Sequence, residues 1–194
     1  MVKSVGRVLL LFLLTTSLAD AHSGAGLTAG FSGGFSHPLS GADHMTAMVA
    51  VGLWGAFLGR PAIWLLPVVF PLVMVVGGVL GILGIPLPAI ETGIATSAIV
   101  LGLMVAFAVR PPLRVAAVMV GVFAIFHGYA HGAELPTATN PIAYTIGFVV
   151  ATGLLHLSGI ALGWLINWPM GQMVVRTGGA LIALAGIGFL TGLL

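Results

Sequence analysis

The sequence predicts an all-α integral membrane protein, a bundle of six transmembrane helices that follows a cleaved signal peptide. Of the 194 residues, 59% are hydrophobic and only 5% are charged, whereas a soluble domain carries roughly 25% charged residues. Long apolar stretches are separated by short breaks rich in proline and glycine. The alternation of a membrane barrel is missing, and in lipid only helices or closed barrels pair all of their backbone groups.

This composition excludes several classes of protein. A chain with so few charged residues cannot form a soluble enzyme or a disordered protein, and a net charge of +2 is too small to indicate a nucleic-acid partner. Cysteine is absent, which excludes disulfides and thiolate metal sites. Any metal must therefore be held by histidine, carboxylate, methionine or backbone atoms.

Residues 1–21 have the three-part pattern of a secretory signal peptide. Lys3 and Arg7 precede an apolar run of 11 residues, and Ala19-Asp20-Ala21 resembles a cleavage site. The run is too short to cross a hydrocarbon core of ~30 Å, although an uncleaved N-terminal anchor is the alternative. We expect cleavage after Ala21, so that the mature chain, residues 22–194, begins at His22 outside the cytoplasm.

The mature chain divides into six predicted spans. They cover residues 25–58, with a break near His37-Pro38, and then 62–83, 90–109, 114–133, 141–166 and 172–193. Proline stands in or beside the breaks and ends helices. Glycines recur four residues apart, as in Gly77/Gly81 and Gly159/Gly163, a spacing that lets membrane helices approach closely.

The positions of the arginines predict the orientation. If the mature N-terminus is outside, the loops after spans one, three and five are inside, and every arginine of residues 22–194 lies in or near them. Cationic residues favour the cytoplasmic side of membrane proteins. These arginines are Arg60, Arg110, Arg114 and Arg176, whereas Glu91 and Glu134 fall at outer ends.

The end of span four carries a candidate metal-binding motif. His127 and His131 are one helical turn apart, and Glu134 follows three residues later, so all three lie on one helix face. Two imidazoles with a carboxylate beside them suit a borderline divalent metal. The sequence HGYAH lacks the glutamate of the metalloprotease motif, and two histidines at a wet helix end are the alternative.

Span one carries a second polar group, His37, Asp43 and His44. Pro38 and Gly41 are predicted to break this span between Phe35 and Ser40, because proline removes a helix hydrogen bond. Ser40 and Asp43 also fit a capping box, so Asp43 could be only a helix cap. A broken helix at membrane depth is tolerated where it lines a cavity.

The two polar groups are predicted to lie at the same depth. His44 is 16 residues from Arg60, and His131 is 17 residues from Arg114, which correspond to ~24 Å and ~25 Å of helix. Ionisable groups within spans cost about 2.5–3.5 kcal/mol each on insertion scales. Their shared level therefore favours one joint metal site.

The strings HPLSGADHMTAMVAVGLWGA and FHGYAHGAE resemble the two signatures of the HupE/UreJ family of nickel/cobalt permeases. The resemblance covers residues 22–194 and implies Ni²⁺ or Co²⁺ as transported substrate, no resident cofactor, and a bacterial inner membrane location with a periplasmic mature N-terminus. It implies that metal is held by His37, Asp43, His44, His127, His131 and Glu134.

Three further residues are weaker metal candidates. His22 would combine its imidazole with the terminal amine. Met48 lies one turn from His44 but could simply fill an apolar gap, and His156 in span five is either a relay or a packed core histidine. The aromatic residues near span ends are expected to anchor the membrane interface; they are Trp54, Trp64, Trp164, Trp168 and Tyr144.

The leading functional hypothesis is a secondary permease that is not an enzyme and whose partners are a divalent metal ion and the lipid bilayer. It supplies nickel enzymes such as hydrogenase or urease, as the resemblance implies. The alternatives are an intramembrane metalloenzyme that uses the same site and a permease for zinc or copper. No nucleic acid is expected, and the sequence predicts no particular oligomeric state.

Overall fold

The computed structural model describes residues 27–134 and 140–194, which form seven α-helices and one 3₁₀ turn. The predicted signal peptide and His22 lie outside the described residues. The helices are α1 (Leu27–Ser40), α2 (Ala42–Leu58), α3 (Ala62–Ile82), α4 (Ile90–Ala106), α5 (Leu113–Ala133), α6 (Pro141–Gly163) and α7 (Gly171–Thr191), and the 3₁₀ turn Trp164–Asn167 extends α6.

The helices have the length and surface of a multi-pass membrane protein. Four of them, α3, α5, α7 and α6 with its 3₁₀ turn, are long and apolar enough to cross a membrane, whereas α2 and α4 are apolar but only 17 residues long. Large apolar side chains such as Leu72, Val118 and Leu184 are exposed on the outside of the bundle. Such a surface is stable in lipid but not in water.

The first predicted span is broken, but at Gly41 and not between Phe35 and Ser40. Pro38 lies inside α1, because one missing hydrogen bond does not end a helix. Gly41 instead adopts extended backbone angles, φ −91° and ψ 109°. The predicted capping box is also wrong: the Ser40 hydroxyl donates to the carbonyl of His37, over 2.7 Å, and α2 begins without a side-chain cap.

Glycines let the helices pack backbone to backbone. Gly77 and Gly81 of α3 face the backbones of Ile125 and Tyr129 in α5 so closely that a methyl group would clash. The residue numbers rise together, so α3 and α5 are parallel. The predicted role of this glycine pair is confirmed.

The broken first span packs along α6 in the same direction. Gly34 of α1 contacts the backbone of Tyr144, and Gly52 of α2 contacts the backbone of His156. Gly159 and Gly163 of α6 face α2 in turn, as predicted. Because α1 and α2 both lie against α6, their junction is held in place by that helix.

The two ends of the bundle differ in charge. The arginines of the described residues lie at the end where α2 and α4 finish. There the Arg110 guanidinium stacks 4.8 Å above the ring of Phe57, and Arg176 donates to the carbonyl of Ala106. Glu134 marks the opposite end, which we call the Glu134 end.

Trp54 and Tyr144 are not interfacial anchors. Trp54 is fully buried in α2, where its indole N–H donates to the carbonyl of Val109 over 3.3 Å. Tyr144 is buried as well and stands beside His37. Tryptophan near a span end predicts an interface only when the residue faces outward, and these two aromatic residues face other helices.

Candidate metal centre

The histidines of the two polar groups lie next to one another near the Glu134 end. The ring of His44 lies 4.9 Å from that of His127 and 4.4 Å from that of His131. The ring of His37 lies 4.8 Å from that of His131. The break at Gly41 makes this possible, because it brings residues from the end of α1 and the start of α2 against one face of α5.

The outer part of the cluster consists of His37, His131 and Glu134. Each of these side chains offers one ligand atom within 4.8 Å of the other two, and His37 Nε2 lies 3.6 Å from Glu134 Oε2. An ion of the size of Ni²⁺ or Zn²⁺ binds nitrogen at about 2.0–2.1 Å. Two ligands of one such ion are at most about 4.2 Å apart, so the His37–Glu134 pair fits as it stands, and separations of up to 4.8 Å need a small side-chain shift before all three atoms share one ion.

Asp43 holds His44 rather than pointing away as a simple helix cap. Its Oδ1 accepts from the backbone N–H of His44 at 2.8 Å and lies 3.0 Å from His44 Nδ1. An ionised carboxylate can only accept, so Nδ1 carries the proton. The lone pair of His44 is then on Nε2, as in metal sites where a carboxylate orients a histidine ligand.

Ser97 of α4 fixes the tautomer of His127, as Asp43 fixes that of His44. Sequence analysis did not identify Ser97. The Ser97 hydroxyl lies 2.6 Å from the carbonyl of Ile94 and 2.9 Å from His127 Nε2. Two oxygens only 2.6 Å apart need a proton between them, and the hydroxyl has one proton. Nε2 must therefore be the donor to Ser97, which leaves the lone pair of His127 on Nδ1.

These lone pairs and the ring of His131 form the inner part of the cluster. His44 Nε2, His127 Nδ1 and both ring nitrogens of His131 are buried without a hydrogen-bond partner among the described residues. Buried polar atoms in folded proteins are almost always paired. A cation that binds imidazole needs nitrogen lone pairs that no other group occupies, and these atoms provide them. His131 belongs to both the inner and the outer part.

Exposure falls steadily from the outer part to the inner part. The side chain of Glu134 is 61% exposed and that of His37 is 32% exposed, whereas His131 is buried and His127 is completely so. His127 is also six residues before the end of α5, or ~9 Å deeper. The cluster is therefore a graded path from the surface into the bundle.

The weaker candidates are not members of this cluster. Met48 is fully buried in the apolar core, one turn beyond His44. His156 is buried deeper in α6, and Glu91, in the first turn of α4, borders a small cavity together with Asp43. Phe148 covers the ring of His131, with 4.1 Å between the centroids.

The fold and the site define a class: a multi-pass helical membrane protein whose imidazoles and carboxylates converge near one end of the bundle. Residues 10–189 match the family model described as HupE / UreJ protein, and the chain therefore belongs to the HupE/UreJ family. The resemblance inferred from the two motifs is thus confirmed.

A named relative supports the same assignment. The chain is 50% identical over 186 residues to Protein HupE of Rhizobium leguminosarum bv. viciae, and the alignment covers 92% of this chain and 97% of that protein. No solved structure matches the chain.

We expect Ser97→Ala to weaken metal binding about 10–100-fold, the usual cost of losing a residue that orients a ligand. Without the hydroxyl, Nε2 of His127 loses its acceptor and the proton is free to move to Nδ1. Ser158→Ala is the matched control, because among the described residues the Ser158 hydroxyl bonds to its own helix, at Leu155. Nitrogen-15 shifts of the His127 ring should report a mixed tautomer in Ser97→Ala alone. Unchanged shifts and affinity would contradict the role of Ser97.

Proposed function

We propose that the protein is a permease that carries Ni²⁺, with Co²⁺ as a second cargo, into the cell. The observation that carries this proposal is the graded path of four imidazoles and two carboxylates that begins at the exposed Glu134 and ends at the buried His127. Ionisable residues at such depth are costly and mark substrate pathways in membrane proteins. Imidazole nitrogen is a good ligand for nickel and cobalt.

The ion first meets the outer part of the cluster. Glu134 attracts it from water, and His37 and His131 replace part of its water shell. His131 then passes the ion to the inner part, since its ring also lies 4.4 Å from that of His44. His44 and His127 present one lone pair each, fixed by Asp43 and Ser97. The transferred ion never has to leave all of its nitrogen ligands at once.

Entry to the other side requires a second conformation. Beyond the cluster the core is filled by large, fully buried side chains, including Trp54, Leu66 and Phe70, so the described state is closed towards the arginine end. Transporters open alternately to the two sides while the binding site stays near the middle. The broken helix at Gly41 is the element best suited to such a change, because α1 and α2 are not joined by continuous helix.

The membrane potential can drive this uptake. A divalent ion gains about 4.6 kcal/mol across 100 mV, enough to concentrate it roughly a thousandfold. The sequence has no nucleotide-binding P-loop, in keeping with a secondary permease and not an ATP-driven pump.

We place the protein in a bacterial inner membrane, with the Glu134 end in the periplasm and the arginine end in the cytoplasm, following the charge bias of membrane proteins. Cysteines at the exposed Ile85 and Met170 separate the two orientations. An impermeant thiol reagent outside the inner membrane should label Ile85→Cys and spare Met170→Cys. The reverse labelling would invert the orientation.

The proposal is tested with purified protein in vesicles that contain a fluorescent nickel chelator. Nickel influx should increase with an inside-negative potential and should be lost when His44 and His131 are both replaced by alanine. Cobalt, zinc and copper are then added as competitors at equal concentration. Influx of zinc or copper in preference to nickel would mean that nickel is not the main cargo. The absence of any metal influx would overturn the proposal.

A further inference from the structure

The face of α6 that meets the cluster carries two polar side chains deeper in the bundle. Phe148, Thr152 and His156 are spaced four residues apart, so they lie on one helix face about one turn from each other. Phe148 contacts the rings of His37 and His131. Thr152 therefore lies one turn below the cluster, and His156 lies two turns below it.

Both polar residues on this line lack partners. Thr152 is 0% exposed and His156 is 1% exposed. The Thr152 hydroxyl and both ring nitrogens of His156 have no hydrogen-bond partner within the described part of the chain. A threonine in a helix can satisfy its hydroxyl with the carbonyl one turn earlier, as the exposed Thr145 does. Thr152 does not, which leaves its oxygen available to another group.

Helix α3 brings a third polar atom to the same place. Pro71 has no N–H, so the carbonyl of Pro67, four residues earlier, loses its donor within the helix. His156 and Pro67 border the same cleft between α3 and α6.

Phe70 connects this region to the inner part of the cluster. Its ring lies 5.4 Å from that of His127 on one side and 5.3 Å from that of His156 on the other. From the start of α6, His156 is 15 residues along the helix, or ~22 Å. The deep histidine thus follows directly after His127 on the way towards the arginine end.

We propose that Thr152, His156 and the Pro67 carbonyl form a second, deeper site that a partly dehydrated divalent cation occupies in transit. The proposal rests on the permease function. The site offers one imidazole nitrogen and two neutral oxygens, and it contains no carboxylate. It therefore holds a dication less tightly than the cluster near Glu134 does, which suits a site from which the ion must leave.

Two replacements of Thr152 separate this role from simple packing. Thr152→Ser keeps the hydroxyl and loses a methyl group, whereas Thr152→Val keeps the shape and loses the hydroxyl. If the hydroxyl binds the ion, Thr152→Ser should transport nickel nearly as well as the unmodified protein, and Thr152→Val should lose about tenfold or more in influx, a typical effect of a residue at a metal site. If Thr152 only packs, the order is reversed.

His156→Gln completes the experiment, because glutamine retains polarity and approximate size but removes the imidazole. Nickel influx into vesicles and nickel binding measured by calorimetry are compared for each variant. We expect influx to fall in His156→Gln while binding at the cluster near Glu134 keeps its affinity. If His156→Gln and Thr152→Val both carry nickel as fast as the unmodified protein does, the deeper site alone is overturned. If the unmodified protein neither binds nor carries nickel, both the site and the permease function are overturned.

Discussion

His131→Ala is expected to abolish nickel uptake, with the largest effect of any single substitution in the cluster. His131 belongs to both parts of the path: its ligand atom lies within 4.8 Å of those of His37 and Glu134, and its ring lies 4.4 Å from that of His44. Its loss removes one ligand from each part. Each loss should cost at least the 10–100-fold in affinity that is typical of an orienting residue.

The comparison with His37→Ala makes this prediction specific. His37 is 32% exposed and lies in the outer part alone, so its loss should weaken uptake at low nickel and less so at high nickel. Val122→Ala on the exposed face of α5 is the control for effects on the helix itself. Influx is measured at matched protein content in vesicles. Normal transport by His131→Ala would mean that the two parts of the cluster are not one path.

The spacing of residues within a single helix could be predicted from the sequence. His127 and His131 were expected on one face of a helix because helical periodicity depends only on residue number, and in the structure both face His44. A close helix approach at Gly77 and Gly81 could be predicted in the same way from their spacing, although not that α5 is the partner. These predictions need no knowledge of which helices are neighbours.

Properties that depend on a neighbouring helix could not be predicted. Ser97 is a single hydroxyl in an apolar segment, and only the packing of α4 against α5 brings it to His127. The position of Trp54 near a span end predicts an interfacial anchor, but its side chain faces the carbonyl of Val109 inside the bundle. The predicted position of the break in the first span is wrong because one lost hydrogen bond at Pro38 does not end a helix, whereas the extended backbone at Gly41 does.

The two carboxylates are expected to differ in their effect, and Asp43→Asn should be far more damaging than Glu134→Gln. The side chain of Asp43 is 26% exposed and bonded to His44, whereas that of Glu134 is 61% exposed. Charge near water is screened by salt over ~8–10 Å at ordinary ionic strength, while a partly buried charge is screened much less. Asp43 therefore supplies most of the charge that offsets a bound dication, and it fixes the tautomer of His44.

Influx measured over a range of nickel and salt concentrations tests this difference. Glu134→Gln should raise the nickel concentration needed for half-maximal influx and leave the maximal rate nearly unchanged, and its defect should shrink as salt is added, because Glu134 acts by attraction at the surface. Asp43→Asn should lower the maximal rate at every salt concentration, since amide and carboxylate differ in charge at a partly buried site that salt screens much less. Equal and salt-independent losses in the two variants would mean that Glu134 is instead a ligand the ion cannot do without, and that the outer part of the cluster is the main binding site.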